Sequence, residues 1–207
     1  MLKVALPKGR LGNAVYQMFA DIGYGCPEIL EDSRRLIFEN QENGITFFLV
    51  KPADVAIYVE LGAADIGVVG KDTLMETEPD VFELLDLQMG KCFLAVASPV
   101  GYREDPSSTL WVATKYPHIA TKYYRELSRK MRIIKLNGSI ELGPLVDLSD
   151  VIVDIVETGN TLRENDLEVV AHIANSSARL IANKASYQFH QQEIQGIVKK
   201  LGEVIEK

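Results

Sequence analysis

The sequence is poor in the residues from which metal centres, disulfide frameworks and catalytic triads are built. Its 207 residues include only two cysteines and three histidines. Cys26 and Cys92 have no metal-ligand spacing and form no disulfide framework, so we expect both to be small buried hydrophobes. The histidines, His118, His172 and His190, are scattered and share neither metal-ligand nor triad spacing. We therefore expect structural or surface roles for them.

Long apolar segments and nucleotide-binding glycine motifs are also missing. No run approaches the length of a membrane span, and residues 1–6, apolar apart from Lys3, are too few for a signal peptide, so the reducing cytoplasm is the expected location. Neither Gly-x-x-x-x-Gly-Lys-Ser/Thr nor Gly-x-Gly-x-x-Gly occurs, which excludes the P-loop and dinucleotide fingerprints. The net charge of −7 disfavours nucleic acid as a partner, and any phosphate group must be met by local basic residues.

The most informative segment is the run from residue 151 to residue 162. Residues 151–156 are valines and isoleucines broken only by Asp154, which predicts a buried strand. The polar turn that follows, with Gly159 between Thr158 and Asn160, leads into a helix and exposes backbone N–H groups that suit a phosphate monoester. On local spacing alone, a glycine that turns the chain beside a plain helix cap explains the turn equally well. Asp154 favours the functional interpretation, because a carboxylate in an apolar strand is costly unless it is paired or used.

Two acidic side chains extend this candidate site. Asp154 and Glu157 flank the end of the predicted strand. Carboxylates beside a phosphate site can hold ribose hydroxyls or a Mg²⁺ that also binds phosphate. The segment therefore indicates a sugar phosphate as the ligand.

Two further strand–turn–helix units carry basic residues where the turn begins. Lys8 and Arg10 follow the first predicted strand, and Lys71 follows a buried strand over residues 64–69. Open α/β sheets bind ligands at the carboxyl ends of their strands, so these cations are candidates for anion contact. The alternative is that they are solvated surface charges, although their position at a helix entry favours anion contact, and Asp72 or Thr73 could be a plain helix cap.

The order of predicted strands and helices indicates an α/β protein with two lobes and a cleft between them. The first lobe is expected to be discontinuous, with residues 1–90 and 178–207. The second lobe, residues 91–177, carries the turn at Gly159. An Asn43-Gly44 pair between two apolar runs predicts a β-hairpin in the first lobe.

Several segments, taken together, resemble the ATP phosphoribosyltransferase family, whose members catalyse the first step of histidine biosynthesis. The resemblance covers essentially the whole chain. The matching segments, in the family's order, are Leu6-Pro7-Lys8-Gly9-Arg10-Leu11, Ser33-Arg34-Arg35-Leu36, Asp65-Ile66-Gly67-Val68-Val69-Gly70-Lys71-Asp72, Ala113-Thr114-Lys115-Tyr116-Pro117, Asn137-Gly138-Ser139-Ile140-Glu141-Leu142-Gly143-Pro144, Leu148-Ser149-Asp150 and Asp154-Ile155-Val156-Glu157-Thr158-Gly159-Asn160-Thr161-Leu162.

The resemblance implies a fold like that of type II periplasmic binding proteins and a specific reaction. Adenine N1 of ATP attacks C1 of phosphoribosyl pyrophosphate, pyrophosphate leaves with Mg²⁺, and N1-(5-phosphoribosyl)-ATP forms. Mg²⁺ is expected to arrive mainly on the substrate's pyrophosphate, with no direct protein ligand assigned. A ribosyl centre with oxocarbenium character needs anchoring and charge stabilisation, and adenine N1 already has a lone pair, so we expect no essential general base.

The resemblance also assigns residues to parts of the substrates. The turn supplies the 5-phosphate site through Thr158, Gly159, Asn160, Thr161 and Leu162. Near the ribose hydroxyls lie Glu157 and Asp154, and Glu141 is placed on the adenine or ribose side. The pyrophosphate and the ATP triphosphate are assigned to the segment at Gly9 and to the cations Lys8, Arg10, Arg34, Arg35, Lys51 and Lys71, of which Arg34, Arg35 and Lys8 are the candidates for stabilising charge in the reaction.

The chain resembles the short form of the family, because long forms continue into a histidine-binding regulatory domain. Short forms act with a regulatory subunit that resembles histidyl-tRNA synthetase, so a hetero-oligomer is implied. Two alternatives stay open from the residues alone. One is a non-catalytic two-lobe protein that binds a small molecule, and the other is a phosphoribosyltransferase for another base.

Overall fold

The computed structural model describes residues 1–31 and 33–206 of the chain. The chain divides into two compact units. Unit 1 comprises Met1–Leu74, Glu78–Gly90 and the chain from Ser177 onward, and unit 2 comprises Met75–Thr77 and Lys91–Ser176.

Strands and helices alternate along most of the chain. In order they are β1 (Leu2–Pro7), α1 (Arg10–Asp21), β2 (Ile37–Asn40), β3 (Ile45–Val50), α2 (Val55–Glu60), β4 (Ile66–Gly70), α3 (Lys71–Thr77), β5 (Val81–Asp86), β6 (Cys92–Pro99), β7 (Leu110–Thr114), α4 (Pro117–Glu126), β8 (Met131–Lys135), α5 (Leu142–Leu145), β9 (Val151–Val156), α6 (Asn160–Glu164), β10 (Leu167–Ser176), β11 (Ala178–Asn183), α7 (Lys184–Phe189) and α8 (Gln191–Ile205).

Unit 1 is built on a sheet with the strand order β2-β3-β1-β4-β11-β5. Its central strand β1 runs parallel to both β3 and β4, so the carboxyl ends of these strands lie at one edge of the sheet. On one face, α1 and α8 pack through Phe19, Ile194 and Leu201, which are fully buried. The other face is covered by α2 through Val55 and Val59. Apolar burial on both faces explains the near-continuous hydrophobic runs of the central strands.

Unit 2 has a separate sheet with the order β10-β6-β9-β7-β8. The strand β9 runs parallel to β7 and antiparallel to β6. Its first residues, Val151, Ile152 and Val153, are buried in the cores of the unit. The predicted strand is confirmed, although one of its two neighbours runs in the opposite direction.

The predicted hairpin at Asn43-Gly44 is also confirmed, since β2 and β3 pair antiparallel from Ile37 opposite Phe48 to Asn40 opposite Ile45. Gly44 has a φ of 64°, which suits a turn glycine. Among the described residues, no helix combines the length and the apolar character that a membrane crossing requires.

Candidate functional site

The turn after β9 has the geometry of an anion-binding turn. Gly159 lies in the left-handed region, with φ 73° and ψ 6°, immediately before α6. Thr158 and Asn160 are exposed on either side of it, and the Asn160 amide lies 3.4 Å from the Thr158 hydroxyl oxygen. Because the first N–H groups of a helix have no partner within the helix, such a turn presents backbone donors and hydroxyls to an anion.

Packing beneath the turn holds it in place. Leu162 is buried among the apolar residues of unit 2, so it anchors α6 and can offer a ligand only its backbone. On the neighbouring strand, the buried Thr114 hydroxyl donates to the Val153 carbonyl oxygen over 2.6 Å and accepts from the Tyr116 amide over 2.8 Å. The carboxyl ends of β7 and β9 are therefore tied together under the turn.

The two carboxylates predicted beside the turn lie where β9 ends. Asp154 is half-buried opposite Ala95 of β6, and its Oδ1 accepts from the Ile155 amide over 2.8 Å. Glu157 is exposed. The strand thus supplies one partly shielded and one solvent-facing carboxylate next to the turn.

A cation that was not predicted from the sequence joins this site. Arg163 lies one helical turn beyond Gly159, and its amide donates to the Gly159 carbonyl oxygen over 3.1 Å. Its guanidinium donates to Asn160 Oδ1 and lies 3.2 Å from the point where a Cβ on residue 159 would be. The spacing of four residues from Gly159 was the available sequence signal, because residues so spaced share a helix face.

Glu141 lies elsewhere in unit 2, half-buried at the start of α5. The short helix packs closely through Gly143, where an added Cβ would approach Ser149 Oγ to 2.6 Å and Ala113 Cβ to 3.0 Å. Glu141 is therefore presented by a segment held tightly against β7.

In unit 1, three predicted basic positions follow three neighbouring parallel strands. Lys8 follows β1, Lys51 follows β3 and Lys71 follows β4. The strand order β3-β1-β4 places them along one sheet edge, and the Lys8 amide donates to the Val50 carbonyl oxygen over 2.7 Å. This edge is where open α/β sheets bind ligands.

The turn between β1 and α1 depends on two glycines. Gly9 has a φ of 101° and precedes Arg10, and the side chains of Lys8 and Arg10 are exposed. Gly12 allows α1 to approach β1, since an added Cβ would lie 1.7 Å from the Pro7 carbonyl oxygen. Gly12 was not singled out from the sequence, although it belongs to the machinery that places Lys8 and Arg10.

The two adjacent arginines lie in an exposed segment before β2. The Arg35 amide donates to Ser33 Oγ over 3.3 Å, and its guanidinium carbon lies 5.3 Å from the centre of the Phe38 ring. Arg34 is exposed beside it. Both cations belong to unit 1, and a cation–π contact with the Phe38 ring positions the Arg35 guanidinium.

Lys71 has a partner within its unit. Its ammonium nitrogen lies 2.5 Å from Glu83 Oε2, and Arg179 approaches the other oxygen of Glu83 at 3.3 Å. Neither Glu83 nor Arg179 was predicted as a site residue. Their side chains meet through strand pairing that the sequence does not reveal.

Neither a metal-binding cluster nor the Cys26 thiol supports catalysis in the part of the chain that the structure describes. Across residues 1–31 and 33–206, no three His, Cys, Asp or Glu side chains gather closely enough to hold a metal ion. Cys26 is buried beside Glu28, and burial together with that carboxylate raises the pKa of its thiol to about 11. A thiol in that state is a poor nucleophile at neutral pH.

Comparison with known proteins gives consistent matches. The family model described as "HisG: ATP phosphoribosyltransferase" matches residues 51–203. An ATP phosphoribosyltransferase from Brachyspira hyodysenteriae is 56% identical, with 99% of this chain and 100% of that protein covered. Another, from Clostridioides difficile, is 53% identical, with 98% of each covered.

Solved structures agree with these matches. The ATP phosphoribosyl transferase (HisG:HisZ) complex from Thermotoga maritima contains a chain with a TM-score of 0.88 and 37% identity, covering 100% of this chain and 98% of that one. The structure of Tv2483 bound to L-arginine has a TM-score of 0.64 at 13% identity, covering 99% of this chain and 85% of that one, and it bears on the fold alone.

Fold and matches together define a class, the α/β proteins with two sheets and a fold like that of type II periplasmic binding proteins. Within that class, the chain belongs to the ATP phosphoribosyltransferase family, pentosyltransferases of histidine biosynthesis. The predicted family, fold class, function and enzyme class are confirmed. A non-catalytic binding protein or a transferase for another base has no support among these relatives.

Proposed function

We propose that this chain joins ATP to phosphoribosyl pyrophosphate by holding and neutralising the substrates rather than by proton transfer. Adenine N1 attacks C1 of the ribose, the C1–oxygen bond breaks, and pyrophosphate leaves with the bonding electron pair. Such a displacement needs the two reacting atoms about 3 Å apart and the departing charge stabilised. The left-handed Gly159 at the start of α6 is the observation that carries the proposal, because it builds the turn that suits the 5-phosphate.

In this proposal, substrate groups are assigned to the residues of each unit separately. Unit 2 takes the phosphoribosyl group, with the 5-phosphate on the turn and the ribose hydroxyls near Asp154 and Glu157. Arg163 adds a cation at the same turn. Glu141 serves the adenine or ribose side.

Unit 1 takes the polyphosphates. The row of Lys8, Lys51 and Lys71 along one sheet edge supports this assignment, because clustered cations neutralise a departing pyrophosphate. The remaining unit 1 candidates are Gly9, Arg10, Arg34 and Arg35. This division follows the predicted lobes, residues 1–90 with 178–207 and residues 91–177.

Magnesium enters with the substrate in this proposal. Mg²⁺ is usually bound by one or two carboxylates together with substrate phosphates, and Asp154 and Glu157 are a donor set of that kind. When bound, the ion neutralises charge on the pyrophosphate. The protein's own residues position that pyrophosphate and the ribose.

We also propose a regulatory partner and a cytoplasmic location. The matched Thermotoga chain comes from a HisG:HisZ complex. The family resemblance implies a regulatory subunit similar to histidyl-tRNA synthetase for short forms, and a hetero-oligomer with it. A biosynthetic enzyme that uses ATP is expected in the cytoplasm, where that substrate is made.

An ultraviolet assay tests the function. The purified chain is mixed with ATP, phosphoribosyl pyrophosphate and Mg²⁺, with pyrophosphatase to draw the reaction forward, with and without the synthetase-like subunit. We expect product absorbance only when both substrates are present, and faster formation with the subunit. If no product forms in either mixture while phosphoribosyl pyrophosphate still binds, the assignment of ATP as acceptor is wrong.

A further inference from the structure

Four charged side chains of unit 1 form a row of alternating sign that begins at Lys71. Lys71 Nζ lies 2.5 Å from Glu83 Oε2. Glu83 Oε1 lies 3.3 Å from Arg179 Nη1, and Arg179 Nη2 lies 3.0 Å from Asp86 Oδ2. The two cations and two carboxylates balance one another.

Backbone pairing fixes one end of this row. Arg179 of β11 lies directly opposite Asp86 of the antiparallel strand β5. The other oxygen of Asp86 accepts from the Ser177 hydroxyl over 2.8 Å and from the Gln88 amide over 2.9 Å. Asp86 and Arg179 are therefore held in place, whereas Lys71, at the other end, is held by its ion pair with Glu83.

The ion pair between Lys71 and Glu83 is weak enough for Lys71 to exchange Glu83 for a substrate phosphate. The side chains of Lys71 and Glu83 are 31% and 33% exposed, and ion pairs of such exposure are weak. A polyphosphate carries several charges and many acceptor oxygens, so it competes well for an ammonium group. When Lys71 turns to a phosphate, however, Glu83 loses that partner close to an incoming anion.

Arg179 is placed to keep Glu83 neutralised at that moment. Its side chain is only 22% exposed, so it is less screened by water than Lys71. Its Nε is buried and has no acceptor among the residues that the structure describes, so the guanidinium interacts with carboxylates through its two terminal nitrogens. If Arg179 only linked β11 to β5, its ion pair with Asp86 would be enough. It also contacts Glu83, the carboxylate that binds Lys71.

We infer that Arg179 is a positioning residue for the transferase reaction: it holds Glu83 so that Lys71 can exchange between this carboxylate and a substrate polyphosphate. The inference rests on the proposed role of Lys71. Without Arg179, Glu83 would have Lys71 as its main counter-ion and would retain it. The defect would therefore be one of polyphosphate binding and would depend on the Glu83 charge.

Steady-state kinetics of the full chain, with its regulatory subunit if activity requires it, can separate these roles. The variants are Lys71→Met, Arg179→Gln, Arg179→Lys, Glu83→Gln and the double variant Glu83→Gln/Arg179→Gln. Arg132→Gln is the matched control, because Arg132 lies over the Trp111 ring in unit 2 and no site role is assigned to it. Michaelis constants for ATP and for phosphoribosyl pyrophosphate are measured separately.

We expect Lys71→Met to raise KM for one substrate, and Arg179→Gln to raise KM for that same substrate by about fivefold, the scale of an exposed ion pair. Glu83→Gln added to Arg179→Gln should restore KM, since the competing charge is gone, and Arg179→Lys should lie between. Arg132→Gln should match the parent.

Two results are informative in different ways. A Lys71→Met variant with both KM values unchanged would remove Lys71 from the proposed site. If Lys71→Met raises a KM but Arg179→Gln does not, or if Glu83→Gln fails to restore it, Arg179 is only structural and the inference is overturned while the proposed function stands.

Discussion

At the scale of single residues, Gly159 gives the sharpest test of the phosphate site. Gly159→Val places a β-branched side chain at φ 73°, with its Cβ 3.2 Å from the Arg163 guanidinium. The left-handed conformation costs a non-glycine residue about 1–2 kcal/mol, and the branches enter the space over the backbone donors. We expect a small loss of stability and a loss of phosphoribosyl pyrophosphate binding, measured by calorimetry.

The same strain can be introduced away from the site. Gly101 in unit 2 has a φ of 76°, and an added Cβ would meet nothing within 4 Å. Gly101→Val should therefore lose comparable stability but keep its affinity for phosphoribosyl pyrophosphate. If Gly159→Val bound phosphoribosyl pyrophosphate as tightly as Gly101→Val and the parent protein do, the turn would not hold this substrate.

The residues that the sequence could reveal are those carried by continuous segments. The turn from Thr158 to Leu162 was recognisable because strand, glycine and capping residues follow one another along the chain. Arg179 could not be found in that way, because it meets Glu83 through the pairing of β11 with β5 across a sequence separation that no local pattern encodes.

At the scale of elements, the contact between α1 and β1 decides where the Lys8–Arg10 turn lies. Gly12→Ala would place a Cβ 1.7 Å from the Pro7 carbonyl oxygen, a backbone atom of the central strand. The helix must move away, and we expect a loss of about 1–3 kcal/mol or more in urea unfolding, typical of overpacking. Activity should fall as well, because the turn moves with the helix.

Helical glycines in α8 provide the control. At Gly196 and Gly202 an added Cβ meets nothing within 4 Å. Alanine there should stabilise the protein by about 0.5–1 kcal/mol through helix propensity. If Gly12→Ala behaved like these two, the close packing of α1 on β1 would not be what holds the turn.

Element boundaries show what local patterns leave out. Apolar periodicity alone predicts a helix over residues 119–129, but α4 spans Pro117–Glu126, since Ser128 adopts a φ of 53° and the Arg129 guanidinium instead binds Glu104 in the preceding loop. The sequence after the Gly159 turn predicts a helix from residue 162 to about residue 167, but α6 spans Asn160–Glu164, because β10 begins at Leu167. Apolar periodicity located the elements, but tertiary contacts set their ends.

At the scale of the whole molecule, the two units have separate cores, and the single tryptophan, which is 39% exposed, lies in the sheet of unit 2. Trp111 lies in β7 of unit 2, and its carbonyl oxygen accepts from the Asp150 amide, just before β9, over 2.9 Å. The strand order of each sheet was beyond prediction, because strands distant in the sequence are neighbours. That order nevertheless places Trp111 in the same sheet as the phosphate turn.

Urea unfolding followed by Trp111 fluorescence should therefore detect substrate binding as a rise in the free energy of unfolding of unit 2. A ligand at about 100 times its dissociation constant stabilises the state that binds it by about 2.7 kcal/mol. We expect phosphoribosyl pyrophosphate with Mg²⁺ to move the unfolding transition, followed by Trp111 fluorescence, to a higher urea concentration. The free energy of unfolding should rise by that amount, and Gly159→Val should abolish the shift. A parent protein that turns over substrate without any shift would place the phosphoribosyl site outside unit 2, because binding within this unit must stabilise it against unfolding.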